Sequence, residues 1–367
     1  MPSARNPSSS RGFTMVELIV SMAITVVLVA LSTRVLVSLD RDQLLRKQVS
    51  ELQGGARLAL GFMESDLRQS ALSASTGVIW TANSSGTAPV ARPAVQVFAA
   101  VPGGGNLDVK PGTDAVLVVQ ALSTPRAATR VTLNNSKVGI PVTSGTGGPF
   151  DVNQPLLIGD YGDASWGVAD LVTPDGSNYS ITLADKTVNV FPAYQDTLLG
   201  AGASVRPAQA RLYYVDTKDE LVRLTLNVPR APKDNTEVRW REVLGVGFEN
   251  LQLDCQIVTG TGGLQACRAN LSGDSSIGTE SEAAFGTLST AAGQGALLTS
   301  SNVNQLRSVL VNVSAHSKLY VNPSQNDPPI GLVTSAGTST LGDTIHSYAR
   351  RAYQVSAGVR NTSLGVF

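Results

Sequence analysis

One carboxylate, Glu17, stands alone in an otherwise uncharged apolar run, residues 13–33, FTMVELIVSMAITVVLVALST. Such a group is costly by itself in lipid, so the chemistry open to it is to meet a positive charge that is buried with it. Two cysteines, Cys255 and Cys267, enclose 11 residues. A disulfide between them closes a loop worth about 3 kcal/mol in the chain-entropy model, and two free thiols are the alternative. Beside these, Asp254 is the only obvious further donor, too few for a metal centre. His316 and His346 lie 30 residues apart. The chain carries no GxSxG, HExxH, P-loop or GxGxxG before a helix. Its GTGG runs at 145–148 and 260–263 lack a following Lys and helix and read as loops. Both His read as structural or surface residues, and Trp80, Trp166 and Trp240 as core or loop anchors. No catalytic residue, cofactor or metal is expected.

The element that must hold Glu17 is a helix. Twenty-one residues, 13–33, span about 31 Å as a helix, the thickness of a bilayer core. Before them lies MPSARNPSSSRG, with Arg5 and Arg11, whose charge keeps that side cytoplasmic. A cleaved signal peptide would have an apolar region of about 7–15 residues and a small-residue cleavage site. Here the run is longer and leads into Arg34, while a plain signal anchor leaves Glu17 unexplained.

From Arg34 to Leu72 the helical period continues. Leu45, Val49, Leu52, Ala56, Leu60, Met63 and Leu67 recur at spacings of three and four, an amphipathic stripe suited to packing on the chain's own globular part. Eleven of these 39 residues are charged and none of 13–72 is proline, which predicts one helix of about 60 residues. Gly54-Gly55 is its weak point, at about 1 kcal/mol per Gly relative to Ala.

Residues 73–367 change texture to short β-rich runs between Gly, Ser, Thr, Asn and Pro. Candidate strands are 94–100, 114–121, 129–133, 155–159, 179–184, 210–216, 221–227, 237–241, 250–258, 307–315 and 352–359. Alternation is clearest at Val222, Leu224 and Leu226 and at Val309, Val311 and Val313. Pro174-Asp175-Gly176 signals a hairpin. Stretches 73–92, 101–112 and 259–300 read as loops, the last a long excursion. The layout is α+β, an antiparallel β-rich domain packed on one long helix.

Composition sets the outer bounds. The 42% hydrophobic content supports a sizeable core. With 28 basic and 28 acidic side chains, charge does not indicate a nucleic-acid binder. The densest basic region holds Arg206, Arg211, Lys218, Arg223, Arg230, Lys233, Arg239 and Arg241. Asp216, Asp219, Glu220, Asp234 and Glu237 interleave with them, so a salt-laced sheet surface is preferred to a DNA-contacting strip.

Gly12-Phe13-Thr14-Met15-Val16-Glu17-Leu18 resembles the signal sequence of type IV pilins and type II secretion pseudopilins. That pattern is a short basic leader, a Gly, an aromatic residue and a Glu at the fifth mature position. The resemblance implies removal of residues 1–12 by cleavage between Gly12 and Phe13 by a prepilin peptidase. It implies N-methylation at Phe13 and neutralisation of a neighbouring subunit's terminal amine by Glu17. Loss of the leader's two Arg would leave 26 basic against 28 acidic side chains. No helix-bending proline of the kind many major pilins carry is present in 13–33.

Further patterns are similar to PilW-like minor pilins: Gly112-Thr113-Asp114 before VLVV, LLIGD, Arg211-Leu212-Tyr213-Tyr214 with Leu221-Val222-Arg223, and Arg350-Arg351-Ala352-Tyr353 with Val359-Arg360-Asn361. Val246-Gly247-Phe248-Glu249-Asn250-Leu251-Gln252 resembles a GVENLQ element, with Gly247-Phe248 departing from the usual spacing. The likeness implies a non-enzymatic minor pilin, held in the inner membrane with a cytoplasmic N-terminus and then carried into an extracellular pilus near its tip. Implied partners are other major and minor pilins, the peptidase and methyltransferase, and the inner-membrane assembly platform. A tip adhesin or DNA-capture subunit for transformation, and a type II secretion pseudopilin, are the alternatives.

Overall fold

The computed structural model describes residues 14–70, 78–81, 90–98, 108–122, 126–127, 130–132, 137–141, 150–151, 154–159, 164–175, 178–183, 204–226, 239–258, 264–266, 306–320, 332–334, 337–339 and 348–358. Gly12, Phe13, Cys267 and His346 lie outside them, as does most of 259–300. The chain divides into two units, Met1–Glu51 and Leu52–Phe367.

Helix α1 runs Met15–Gln69, 55 residues. It is shorter than the 60 expected because Thr14 caps its start, while Ser70 turns its backbone into a bridge with Gln120. The strands are β1 (Val78–Thr81), β2 (Val90–Pro93), β3 (Val95–Phe98), β4 (Ala115–Ala121), β5 (Arg126–Ala127), β6 (Arg130–Thr132) and β7 (Lys137–Pro141). Next come β8 (Pro155–Gly159), β9 (Ala164–Asp175), β10 (Asn178–Leu183), β11 (Ser204–Val215), β12 (Glu220–Leu226) and β13 (Arg239–Val246). Last are β14 (Phe248–Val258), β15 (Leu264–Ala266), β16 (Leu306–Tyr320), β17 (Leu332–Thr334), β18 (Gly337–Ser339) and β19 (Tyr348–Gly358).

One long helix with antiparallel sheets is the α+β layout expected from the sequence. Among the described residues the strands form a thirteen-stranded sheet, a four-stranded sheet ordered β15-β14-β16-β19, and the β17–β18 ribbon. The pairings are antiparallel except β1 with β9, where Ile79 meets Ala164 in parallel. Three strands correct the loop expectations: β1 falls within 73–92, β2 begins there and ends at Pro93, and β15 falls within 259–300. The β9–β10 hairpin forms where Pro174-Asp175 signalled it, with Asp175 opposite Asn178.

Strand β11 is the hub, pairing β12, β4, β5 and β8. Period-two alternation sends its side chains to two separate cores. Tyr213 and Val215 join Val116 and Val118 of β4 in the core that includes Ala56, Ala59, Leu60, Met63 and Leu67 of α1. Leu212 and Tyr214 join Leu117, Val119 and Trp166 on the opposite face. Strand β4 is thus buried on both faces, which explains its unbroken apolar run VLVV.

The two larger sheets meet at a seam. Asp114, fully buried, donates its N–H to Leu251 O (2.9 Å) and accepts the Leu253 N–H on Oδ2 (2.7 Å). Asp219 holds a left-handed backbone (φ 60°), and its carbonyl accepts the N–H groups of Gly247 and Phe248 at 2.7 and 2.8 Å. Its carboxylate meets Lys110 Nζ at 2.5 Å and His316 Nε2 at 3.3 Å. Gly247 has φ +90° and lies so close to β16 that an added Cβ would stand 2.6 Å from His316 O.

Candidate functional site

The N-terminal half of α1 has no inward face. Every residue from 14 to 40 is exposed, and large apolar side chains such as Met15, Ile19, Val26 and Leu36 are more than half exposed around the whole circumference. A helix apolar on all sides is built to be covered by lipid or by other helices. Its length and composition suffice to cross a membrane.

Glu17 sits in the first turn of this segment. Thr14 donates to its Oε2 through both the backbone N–H (2.9 Å) and the hydroxyl (3.0 Å). The Glu17 N–H in turn donates to Thr14 Oγ1 at 3.3 Å. This is a capping box: Thr14 is the N-cap, Glu17 the third helical residue, and orphan donors of the helix start are satisfied reciprocally. The spacing Thr-x-x-Glu is legible in the sequence, but the apolar run drew attention to the charge instead of its partner. Thr14 is therefore a site residue that the sequence reading missed. The carboxylate adds favourable charge at the positive end of the helix dipole and remains reachable by a second cation.

The second functional feature lies on the half of α1 that belongs to the β-rich unit. Asp66 is 4% exposed. Its oxygens accept Arg211 Nη1 at 2.6 and 2.7 Å, and Oδ2 also accepts the Tyr213 hydroxyl. Asp66 reads in the sequence as one more surface charge. It nevertheless falls seven residues after Ala59 and three after Met63, on the buried face, and that phase is the signal that finds it. Burial first, then the Asp66 carboxylate, pushes the Tyr213 phenol far above its ordinary range. Tyr214, on the other face of β11, is raised chiefly by burial, against the pull of Arg241.

Several of the interleaved charges of 206–241 are paired, Arg211 with Asp66 among them. Arg223 meets Glu242 at 2.5 Å, and Arg241 bridges Asp216 (2.5 Å) and Glu220 (3.0 Å). Arg230, Lys233, Asp234 and Glu237 lie outside the described residues. Trp166 is a core residue, as expected, but Trp240 is 64% exposed on β13 and anchors no core. β13 is the terminal strand of its sheet, so no described strand pairs with its outer edge. Cys255 is buried and disulfide-bonded, and Cys267 is the only other cysteine of the chain. Among the described residues, no group of three metal-ligating side chains occurs.

Residues 7–33 match the family model for the Prokaryotic N-terminal methylation motif. No curated protein and no solved structure matches the chain. The motif supports a prepilin of the type IV pilin or pseudopilin kind, a structural subunit that is anchored in a membrane and assembled with other pilins.

Proposed function

We propose that the chain is a PilW-like minor pilin. It enters the inner membrane as a precursor with residues 1–12 in the cytoplasm. It is cleaved between Gly12 and Phe13, methylated at Phe13, and built into a type IV pilus near the tip, where it helps to start assembly. The observation that carries this reading is the methylation motif at 7–33, together with a carboxylate placed one turn into an all-round apolar helix.

The physics of the step follows from the capping box. In lipid every polar group needs a partner, and the Thr14 N–H and hydroxyl supply one for Glu17 within its own chain. Cleavage before Phe13 creates an amine adjacent to Thr14. That charge is costly alone in lipid and is relieved when the Glu17 carboxylate of a neighbouring helix meets it. The apolar surface of residues 15–39 passes from lipid contact to helix contact with little change in solvation. Arg5 and Arg11 orient the insertion, and Cys255 pairs with Cys267 in the domain carried outward.

Replacing Glu17 with Ala tests the role. Processed protein should accumulate in the membrane while its incorporation into sheared fibres falls at least about tenfold, as expected for a lost buried charge pair. Normal incorporation would refute it. Loss of piliation in a deletion strain supports the pilus assignment, whereas loss of protein secretion with intact pili would move the chain to the pseudopilins.

A further inference from the structure

Between Leu52 and Gln69, α1 docks through a stripe that nearly repeats itself. Sliding the helix by one turn would place Ala56 where Leu60 sits, Ala59 where Met63 sits, Met63 where Leu67 sits and Asp66 where Ser70 sits, the first three all apolar and buried. Apolar packing of this kind distinguishes weakly between registers. Asp66 does not repeat: one turn away lie Phe62 and Ser70.

The groups that receive Asp66 come from a polar relay across consecutive strands. Arg211 and Tyr213, two residues apart on one face of β11, both bind its carboxylate. Arg211 Nη2 continues to Gln209 Oε1 at 2.7 Å. Tyr213 stands opposite Arg223 of β12, and Arg223 stands opposite Glu242 of β13 and is paired with it. The same guanidinium lies 5.0 Å from the ring centroid of Phe62, one turn before Asp66. Two strands, β11 and β12, therefore grip α1 at two positions one turn apart, with Glu242 of β13 behind Arg223.

We propose that this relay is a register lock, which fixes where α1 docks along the sheet and does not serve mainly to strengthen the docking. Buried ion pairs seldom outdo apolar residues of similar volume in stability, and their best-attested use is to select one register. In a chain whose helix is pulled along its axis, the lock passes that load to β11, β12 and β13 instead of letting the helix slide. The inference is independent of the assignment to any fibre system.

Crosslinking of the full-length chain in detergent tests it. Ser70 and Gln120 are bridge partners, so Ser70→Cys with Gln120→Cys reports the native register. Asp66→Cys with Gln120→Cys bonds only after a one-turn slide. The slide pair is made with Arg211→Leu and Tyr213→Phe, and the native pair with these two and Asp66→Leu. The lock predicts an unchanged or higher melting temperature for the apolar variant, with slipped crosslinks in about one chain in ten or more. Native crosslinks alone would overturn it, because apolar packing and the Ser70 bridge would then set the register. An apolar variant that fails to fold or melts far lower would overturn it too, by making the relay a source of stability.

Discussion

Two kinds of glycine in this chain should respond to alanine with opposite signs. Gly247 joins β13 to β14 with φ +90°, and a Cβ there would stand 2.6 Å from His316 O and 3.2 Å from Leu52 Cδ2. The nearest obstacle is backbone. The His316 N–H also donates to Gly247 O at 2.7 Å, so β16 cannot withdraw without stretching that bond. A left-handed non-glycine residue costs about 1–2 kcal/mol, and weakening one backbone hydrogen bond adds about 1 kcal/mol. Gly247→Ala should therefore lose about 2–3 kcal/mol. At roughly 2–4 °C per kcal/mol for a large domain, the melting temperature falls by about 4–12 °C. Gly54 and Gly55 are the contrast. They lie inside α1 with nothing within 4 Å of an added Cβ, so each Ala should gain about 0.5–1 kcal/mol of helix propensity. Melting followed by circular dichroism on the full chain in detergent reads all three. An unchanged melting temperature for Gly247→Ala, or a loss at Gly54→Ala, would refute the reasoning.

Asp66→Ala strands Arg211 and Tyr213 against the helix and should cost about 3–5 kcal/mol in urea denaturation. Glu64→Ala, which removes a more exposed partner of Arg68 on the same helix, should stay within about 0.5 kcal/mol. The raised Tyr213 gives an alkaline signature. Above its unfolded pKa near 10 the unfolded chain loses a proton that the folded chain keeps, so stability falls as pH rises, by about 1.4 kcal/mol per pH unit for one such tyrosine. Tyr213→Phe should flatten that slope between about pH 10 and 11, measured by urea titrations, and an unaltered slope would contradict the assignment.

The α+β layout was legible because α1 and the alternating strands β12 and β16 each carry a single strong period. Strands β1, β2 and β15 were not, since each has only three or four residues, too few to display a period, and β1 also leans on a distant partner, Ala164 for Ile79. At the helix start the charge pattern located Glu17, while the cap was overlooked although Thr14 stood three residues before it. Asp66 escaped because charge argued for the surface, and only its phase against Ala59 and Met63 argued for burial. Arg211 and Tyr213, 145 and 147 residues further on, decided between these. Trp240 shows the reverse limit: its composition suggested an anchor, and its place on the terminal strand left it exposed.

The most direct test of the central claim is mass spectrometry of the N-terminal peptide from chain purified out of the membrane of a cell that carries a prepilin peptidase. The account predicts a peptide beginning at Phe13 with one added methyl group on its amine, and retention of the leader when Gly12 is replaced by Leu. A wild-type chain that keeps the Gly12–Phe13 bond intact, or a Gly12→Leu chain cleaved as usual, would contradict it.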